Sequence, residues 1–391
     1  MICRTILVAV LVGLVNMAYA EEASMNFESM AATIVNALKL REGERVLIRF
    51  DPMYFQELVD PLRNQIRQAG AIDLGALAYV DHADSLMALP AEEARRGNLT
   101  QAQVKSFEQL LDAVDVYVWL PASRGWDLYR AEEEALDGWL KKGGSRREIH
   151  FHWRSGSVKQ DGLPGEHSVA LDEVYQDALK MDYAALSTAQ DRAIALLRSG
   201  QVHITTPAGT DLTFRIGDRP FNKQDGDASA ERAQKARVLV DREIELPAGV
   251  VRVAPLESTV QGTLVIPDAR FGEKVVRDLK LDVKNGRVVH MQAKEGLILV
   301  ETEFAEVGEV AYRFREFGLG FNPKLVPSSG SDILPYYGYG AGVVRLSLGD
   351  NQELGGAVKG GFVRWFFFPD ATVEVNNHII VKDGALNPSE L

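Results

Sequence analysis

His150 and His152 stand two residues apart in the strand-like run Glu148–Trp153, which places both imidazoles on one face, a spacing that can begin a metal chelate. A chelate needs further ligands, and none is expected adjacent to this pair, so the simpler reading is structural, with each ring satisfied on backbone carbonyls. The other histidines, His82, His167, His203, His290 and His378, have no ligand spacing. Asp225-Gly226-Asp227 with Glu231 reads as an exposed acidic loop whose spacing is not that of a calcium-binding hand. Gly338-Tyr339-Gly340-Ala341-Gly342 has the glycine content of a phosphate cradle, but the strand pattern VVRLSL follows it, and a phosphate loop opens a helix. HExxH, GxSxG and GxxxxGK[ST] are absent, which removes the commonest zinc-protease, serine-hydrolase and nucleotide signatures.

The elements that would position these residues fall into two halves. From Met25 to about Ser199, amphipathic helices alternate with the buried-strand runs Val46–Phe50, Leu74–Val80, Val116–Leu120 and Glu148–Trp153, the pattern of an open parallel sheet covered on both faces. A long helical stretch closes this half near Gly200. From Gln201 onward the period changes to strands and hairpins, with turns at Pro207–Thr210, Asn285–Gly286 and Asn376–Asn377. The expected fold class is therefore α/β, with an α/β domain over 21–199 and a β-rich (α+β) domain over 200–391.

The chain has 391 residues, 46% of them hydrophobic, enough to bury a large core. A net charge of −12 argues against nucleic acid or an anionic membrane surface as partner. Residues 1–20, with Arg4, an apolar run from Ile6 to Val15 and small residues at Ala18 and Ala20, read as a signal peptide, cleaved before Glu21. The sole cysteine, Cys3, leaves with it, so disulfide and thiolate chemistry are excluded from the mature chain. An exported protein, periplasmic or secreted, with no membrane attachment after cleavage is expected.

Five blocks in order, GTDLTF (Gly209–Phe214), Leu246–Pro267, EFGLGFNP (Glu316–Pro323), GAGVVRLSLGDN (Gly340–Asn351) and PDATVEV (Pro369–Val375), make the C-terminal half resemble the aminopeptidase T / aminopeptidase S family of dinuclear metallo-aminopeptidases. GERVLIRFDP and the turn Ala69–Ala71 extend the resemblance over most of the mature chain. It implies a homodimer and, in the family, a two-metal hydrolytic centre. At the corresponding positions only Glu316 keeps a ligand; Val250, Arg345, Gln352, Val363 and Trp365 stand at the other five. Valine and tryptophan offer a metal no lone pair, and a fixed guanidinium repels a dication.

No cofactor is therefore expected, and Zn, Co or Mn only if the peptidase chemistry survives through another ligand set. Arg345 is expected to replace the lost positive charge by pairing with Glu316. That pair is either a purely structural ion pair or the anchor of a remodelled pocket lined by Tyr336, Tyr337, Tyr339 and Trp365. The functional expectation is an exported aminopeptidase-T-like protein, weak or inactive as a peptidase. The alternatives are a non-catalytic protein binding a small molecule or peptide in the same cleft, and another reaction on a scaffold that also resembles the dihydroxypyridine dioxygenases.

Overall fold

The computed structural model describes residues 25–78, 101–121, 130–153, 158–159, 169–272, 274–328, 331 and 333–391. The expected signal peptide therefore lies outside the described residues. Strands β1 (Arg45–Phe50), β2 (Ile72–Ala78), β3 (Val116–Leu120) and β4 (Arg147–His150) pair in parallel. Helices α1 (Phe27–Leu38), α2 (Pro52–Gln68), α3 (Gln101–Leu111) and α4 (Arg130–Lys141) alternate with them, as the 3.6-residue apolar period requires. Beyond the short β5 (Val158–Lys159) come α5 (Val169–Leu179) and α6 (Tyr183–Arg198). These two replace the single long helix expected from periodicity. The break is made by Asp182, whose carboxylate accepts from the amides of Ala184 and Ala185 and so caps α6.

Strands then follow one another: β6 (Gln201–Thr205), β7 (Asp211–Arg215), β8 (Asn222–Gln224), β9 (Glu243–Glu245), β10 (Val250–Val253), β11 (Gln261–Phe271), β12 (Lys274–Lys284) and β13 (Arg287–Gln292). After the helix Leu297–Val307 come β14 (Phe314–Gly320), β15 (Ile333–Leu334), β16 (Val344–Gly349), β17 (Val363–Phe368), β18 (Thr372–Val375), β19 (His378–Lys382) and β20 (Ala385–Leu386). An eight-stranded sheet runs β13-β12-β11-β7-β6-β18-β19-β20, and a five-stranded one β17-β16-β14-β10-β8. The expected hairpins form at 206–210, 285–286 and 376–377. Asn285, Gly286, Asn376 and Asn377 take the left-handed conformation that two-residue hairpin turns demand.

The two halves are not strictly sequential, because the chain after residue 200 returns to the parallel sheet. β9 pairs in parallel with β4 and completes the order β2-β1-β3-β4-β9. One continuous apolar core then runs from Ile48, Val118, Ile149 and Ile244 of the parallel sheet to Val251, Phe317 and Leu346 of the five-stranded sheet and Val202 and Phe214 of the eight-stranded one. Arg147 locks this return. It is 1% exposed, its guanidinium donates to both Glu44 carboxylate oxygens at 2.8 and 2.7 Å, and it also reaches the carbonyls of Ala228 (2.7 Å) and Leu38 (3.1 Å). Removing one member of a buried pair strands the other charge, so Arg147→Ala is expected to cost about 3–5 kcal/mol in urea unfolding. A loss within about 0.5 kcal/mol, the range of ordinary surface substitutions, would show that Arg147 does not stabilise the fold.

Candidate functional site: a buried arginine–carboxylate seam

Cross-strand register decides which side chains meet. Glu316 stands opposite Ser347 and Ser347 opposite Trp365, while Gly318 stands opposite both Arg252 and Arg345. Paired and alternate residues share a face, so Val250, Arg252, Glu316, Arg345, Ser347, Trp365 and Val363 lie on one side of the five-stranded sheet. The other side, with Phe317, Leu319, Val344 and Leu346, is apolar and packs toward the eight-stranded sheet, Phe317 lying 5.4 Å from Phe214 between ring centroids.

Glu316 is fully buried. Arg345 donates through Nε and Nη2 to its Oε1 at 3.0 and 2.6 Å, which is the pairing expected from the sequence. The structure adds two further partners. Arg252 donates to Oε1 and Oε2 at 3.0 and 3.1 Å, and Arg315 Nη1 donates to Oε2. Arg252 and Arg315 also share Glu353 Oε1, a half-exposed carboxylate on the solvent side. Burial alone would raise the Glu316 pKa, but Arg252, Arg345 and Arg315 hold it well below the usual carboxylate range. Gly318 lies against the pair: an added Cβ would stand in van der Waals contact, 3.4 Å from both Arg345 Nε and Glu316 Oε1.

Arg252 was legible as the same-face neighbour of Val250 two residues on. Arg315 was not, because simple alternation turns it away from Glu316. A register shift between Phe314 and Glu316 brings the two consecutive residues to one cluster.

The four aromatic residues form one run of ring contacts, Tyr339–Tyr336 at 5.3 Å, Tyr336–Tyr337 at 5.6 Å and Tyr337–Trp365 at 5.8 Å between centroids, and the Arg345 guanidinium lies over Tyr339 and Trp365. Tyr336 and Tyr339 are fully buried, and Tyr336 packs on Tyr175 with ring centroids 5.9 Å apart. Tyr337 bridges the two polar rows, with its ring 5.5 Å from His152 and 5.8 Å from Trp365. Tyr336 and Tyr337 both have positive φ (43° and 52°), a costly conformation for non-glycine residues, and it turns successive rings into different layers. Gly338 keeps this turn possible: with φ 71°, its added Cβ would meet the Phe367 ring at 2.7 Å. Gln352 is exposed, in the same short helical turn that carries Glu353, and Val363 is 40% exposed at the edge strand.

A second polar row faces this one. Arg49, Trp119, His150 and Glu245 are register neighbours across the parallel sheet near the carboxyl ends of its strands, the side on which open α/β sheets bind ligands. His150 Nδ1 lies 3.3 Å from His152 Nε2, and His152 Nδ1 lies 3.3 Å from the Tyr337 hydroxyl. Contrary to the expectation of no adjacent carboxylate, Glu148 Oε1 lies 2.9 Å from His150 Nε2. The residue two positions back on a strand was the available signal. The acidic loop is corrected in part: Asp225 is buried, held by Arg232 (2.8 Å) and Ser187 (2.9 Å), while Glu231 is exposed as expected.

Burial opposes charge on His150, yet Glu148, then Glu243 and Glu245, raise its pKa to about 9. Burial and the neighbouring His150 charge keep His152 neutral. Because the folded value of His150 lies above its ordinary 6.5, the pair's stabilisation is fully present below about pH 6.5 and fades as pH rises through about 9.

Comparisons with known proteins agree with this architecture. No protein-family model matches the chain, and neither does any curated protein. Among solved structures, wild-type AmpT from Thermus thermophilus, an aminopeptidase T, superposes with a TM-score of 0.60 over 92% of this chain and 98% of that one, at 14% identity. The chain has the aminopeptidase T fold. A 2,5-dihydroxypyridine dioxygenase from Pseudomonas putida superposes with a TM-score of 0.59 at 16% identity, over 93% of this chain and 97% of that one. These likenesses establish the scaffold, an α/β N-terminal part with a β-rich C-terminal part.

The residues on the expected metal face do not fit a two-metal centre. Glu316 spends its oxygens on three guanidiniums, Val250 and Val363 carry no donor, and Arg345 brings a fixed positive charge. Among the described residues, no group of three or more His, Cys, Asp or Glu is placed to hold a metal ion.

Two outcomes follow. Glu316→Ala strands three buried cations and is expected to cost about 3–5 kcal/mol in urea unfolding, with Glu316→Gln losing less because its amide oxygen still accepts. Equal unfolding midpoints for wild type and Glu316→Ala would contradict that role. Glu148→Gln is expected to destabilise by about 1–3 kcal/mol at pH 7 and by much less at pH 10, where His150 is neutral in the folded wild type. Thermal melts giving the same loss at both pH values would contradict a charged His150.

Proposed function

We propose that this chain is an exported protein of the aminopeptidase T fold in which the arginine cluster on Glu316 takes the place of the metal pair, and that it acts through ligand binding in the inherited cleft rather than as a two-metal aminopeptidase. The observation that carries this reading is the saturation of Glu316. A two-metal hydrolase needs its carboxylates free to share cations and a water between them. Here the one carboxylate retained at the expected ligand positions accepts from Arg252, Arg315 and Arg345 instead. The signal-like segment 1–20 supports export, and the acidic composition is in keeping with a small-molecule or peptide ligand rather than nucleic acid. A homodimer, implied by the resemblance alone, belongs to the same proposal.

Elemental analysis of purified mature protein, with an assay on amino-acid arylamides before and after adding Zn²⁺, Co²⁺ or Mn²⁺, tests the reading. Sub-stoichiometric metal and no chelator-sensitive release of arylamine are expected. Metal at one or two equivalents per chain with chelator-sensitive turnover would overturn it.

A further inference from the structure

Two buried hydrogen-bonding groups beside the arginine cluster have no partner among the described residues: the Ser347 hydroxyl and the Trp365 indole N–H. They stand directly opposite each other on β16 and β17, on the face that carries Arg345. Unpartnered buried donors are costly, and alanine or phenylalanine at these positions would remove the cost, so their joint presence points to an acceptor that belongs between them. The Arg345 guanidinium lies 5.5 Å from the Trp365 ring centroid.

Tyr337 adjoins the same face, with its hydroxyl 3.3 Å from His152 Nδ1. Its ring adjoins Trp365, and its carbonyl accepts from Arg345 Nη1 at 3.4 Å.

The Ser347 hydroxyl, the Trp365 indole N–H and the Arg345 guanidinium thus share one face of the sheet beside Glu316, whose oxygens already accept from three guanidiniums. The three arginines outnumber Glu316 and Glu353, the two carboxylates they pair with, by one, which suits an anionic ligand of low charge. Half-buried Trp365 and exposed Val363 lie on the edge strand of the sheet, which gives a ligand a way in.

We propose that Ser347, Trp365 and Tyr337, beside Arg345, form a binding site for a small monocarboxylate, whose oxygens accept from the Ser347 hydroxyl and the Trp365 indole. The proposal rests on the metal-free reading of the cleft and names its ligand class. The test is a titration of metal-free full-length mature protein with acetate and with benzoate, followed through the Trp365 indole N–H resonance, which is assigned by its loss in Trp365→Phe. A saturable downfield shift with either carboxylate, no shift with acetamide or benzamide, and at least a fivefold weaker affinity in Ser347→Ala are expected. Melting temperatures of Ser347→Ala and Trp365→Phe should equal or exceed that of wild type, since each removes an unpartnered donor. Silence toward both carboxylates, an equal response to the amides, or a titration unchanged in Ser347→Ala would overturn the proposal. Stoichiometric metal in the protein as purified would instead overturn the reading beneath it, so the two failures are distinguishable.

Discussion

A carboxylate removed from water must be neutralised, protonated or paired, and Glu316 is removed from water entirely. Much of the C-terminal half is arranged around that requirement. β10 brings Arg252, the irregularity in β14 brings Arg315, and β16 brings Arg345, so three adjacent strands each contribute one guanidinium to a single acceptor. Glu353 answers part of the excess charge at the solvent side. Such clusters confer little net stability over a well-packed apolar core, because desolvation consumes most of the Coulombic gain. Their effect is to make alternatives expensive: no member can leave without stranding the others.

The same logic organises the junction of the two halves. The parallel sheet presents one apolar face to the common core, packs Leu47, Tyr117 and Trp119 of its other face against α3 and α4, and carries toward the carboxyl ends of its strands a row of charged and aromatic residues that ends in His150 and Glu245. The five-stranded sheet has one apolar and one polar face. Tyr337 joins the two polar rows, which explains why a strained pair of left-handed tyrosines is tolerated at 336–337: the turn must present successive rings to different partners.

Much of this was legible in the sequence, and what was missed has identifiable causes. Alternation of apolar runs gave the parallel strands to within a few residues, and Asn-Gly and Asn-Asn turns marked two of the hairpins. The Glu316–Arg345 pair followed from reading matched positions as charges that must be answered. Arg315 escaped because a local irregularity breaks the two-residue period on which such readings rest. β9 escaped because three residues, Glu243–Glu245, carry too little pattern to announce that the chain rejoins its first sheet. The split of the last helical stretch escaped because periodicity continues across a cap, and only Asp182 marks the break.

The central claim is that Glu316 answers to arginine and not to metal. Anomalous diffraction at the zinc edge, from crystals of the mature protein grown with zinc in excess, tests it most directly. The account predicts guanidinium density from Arg252, Arg315 and Arg345 on the Glu316 carboxylate and no anomalous peak within bonding distance of either oxygen. A zinc peak bonded to Glu316, with Arg345 swung away, would contradict it.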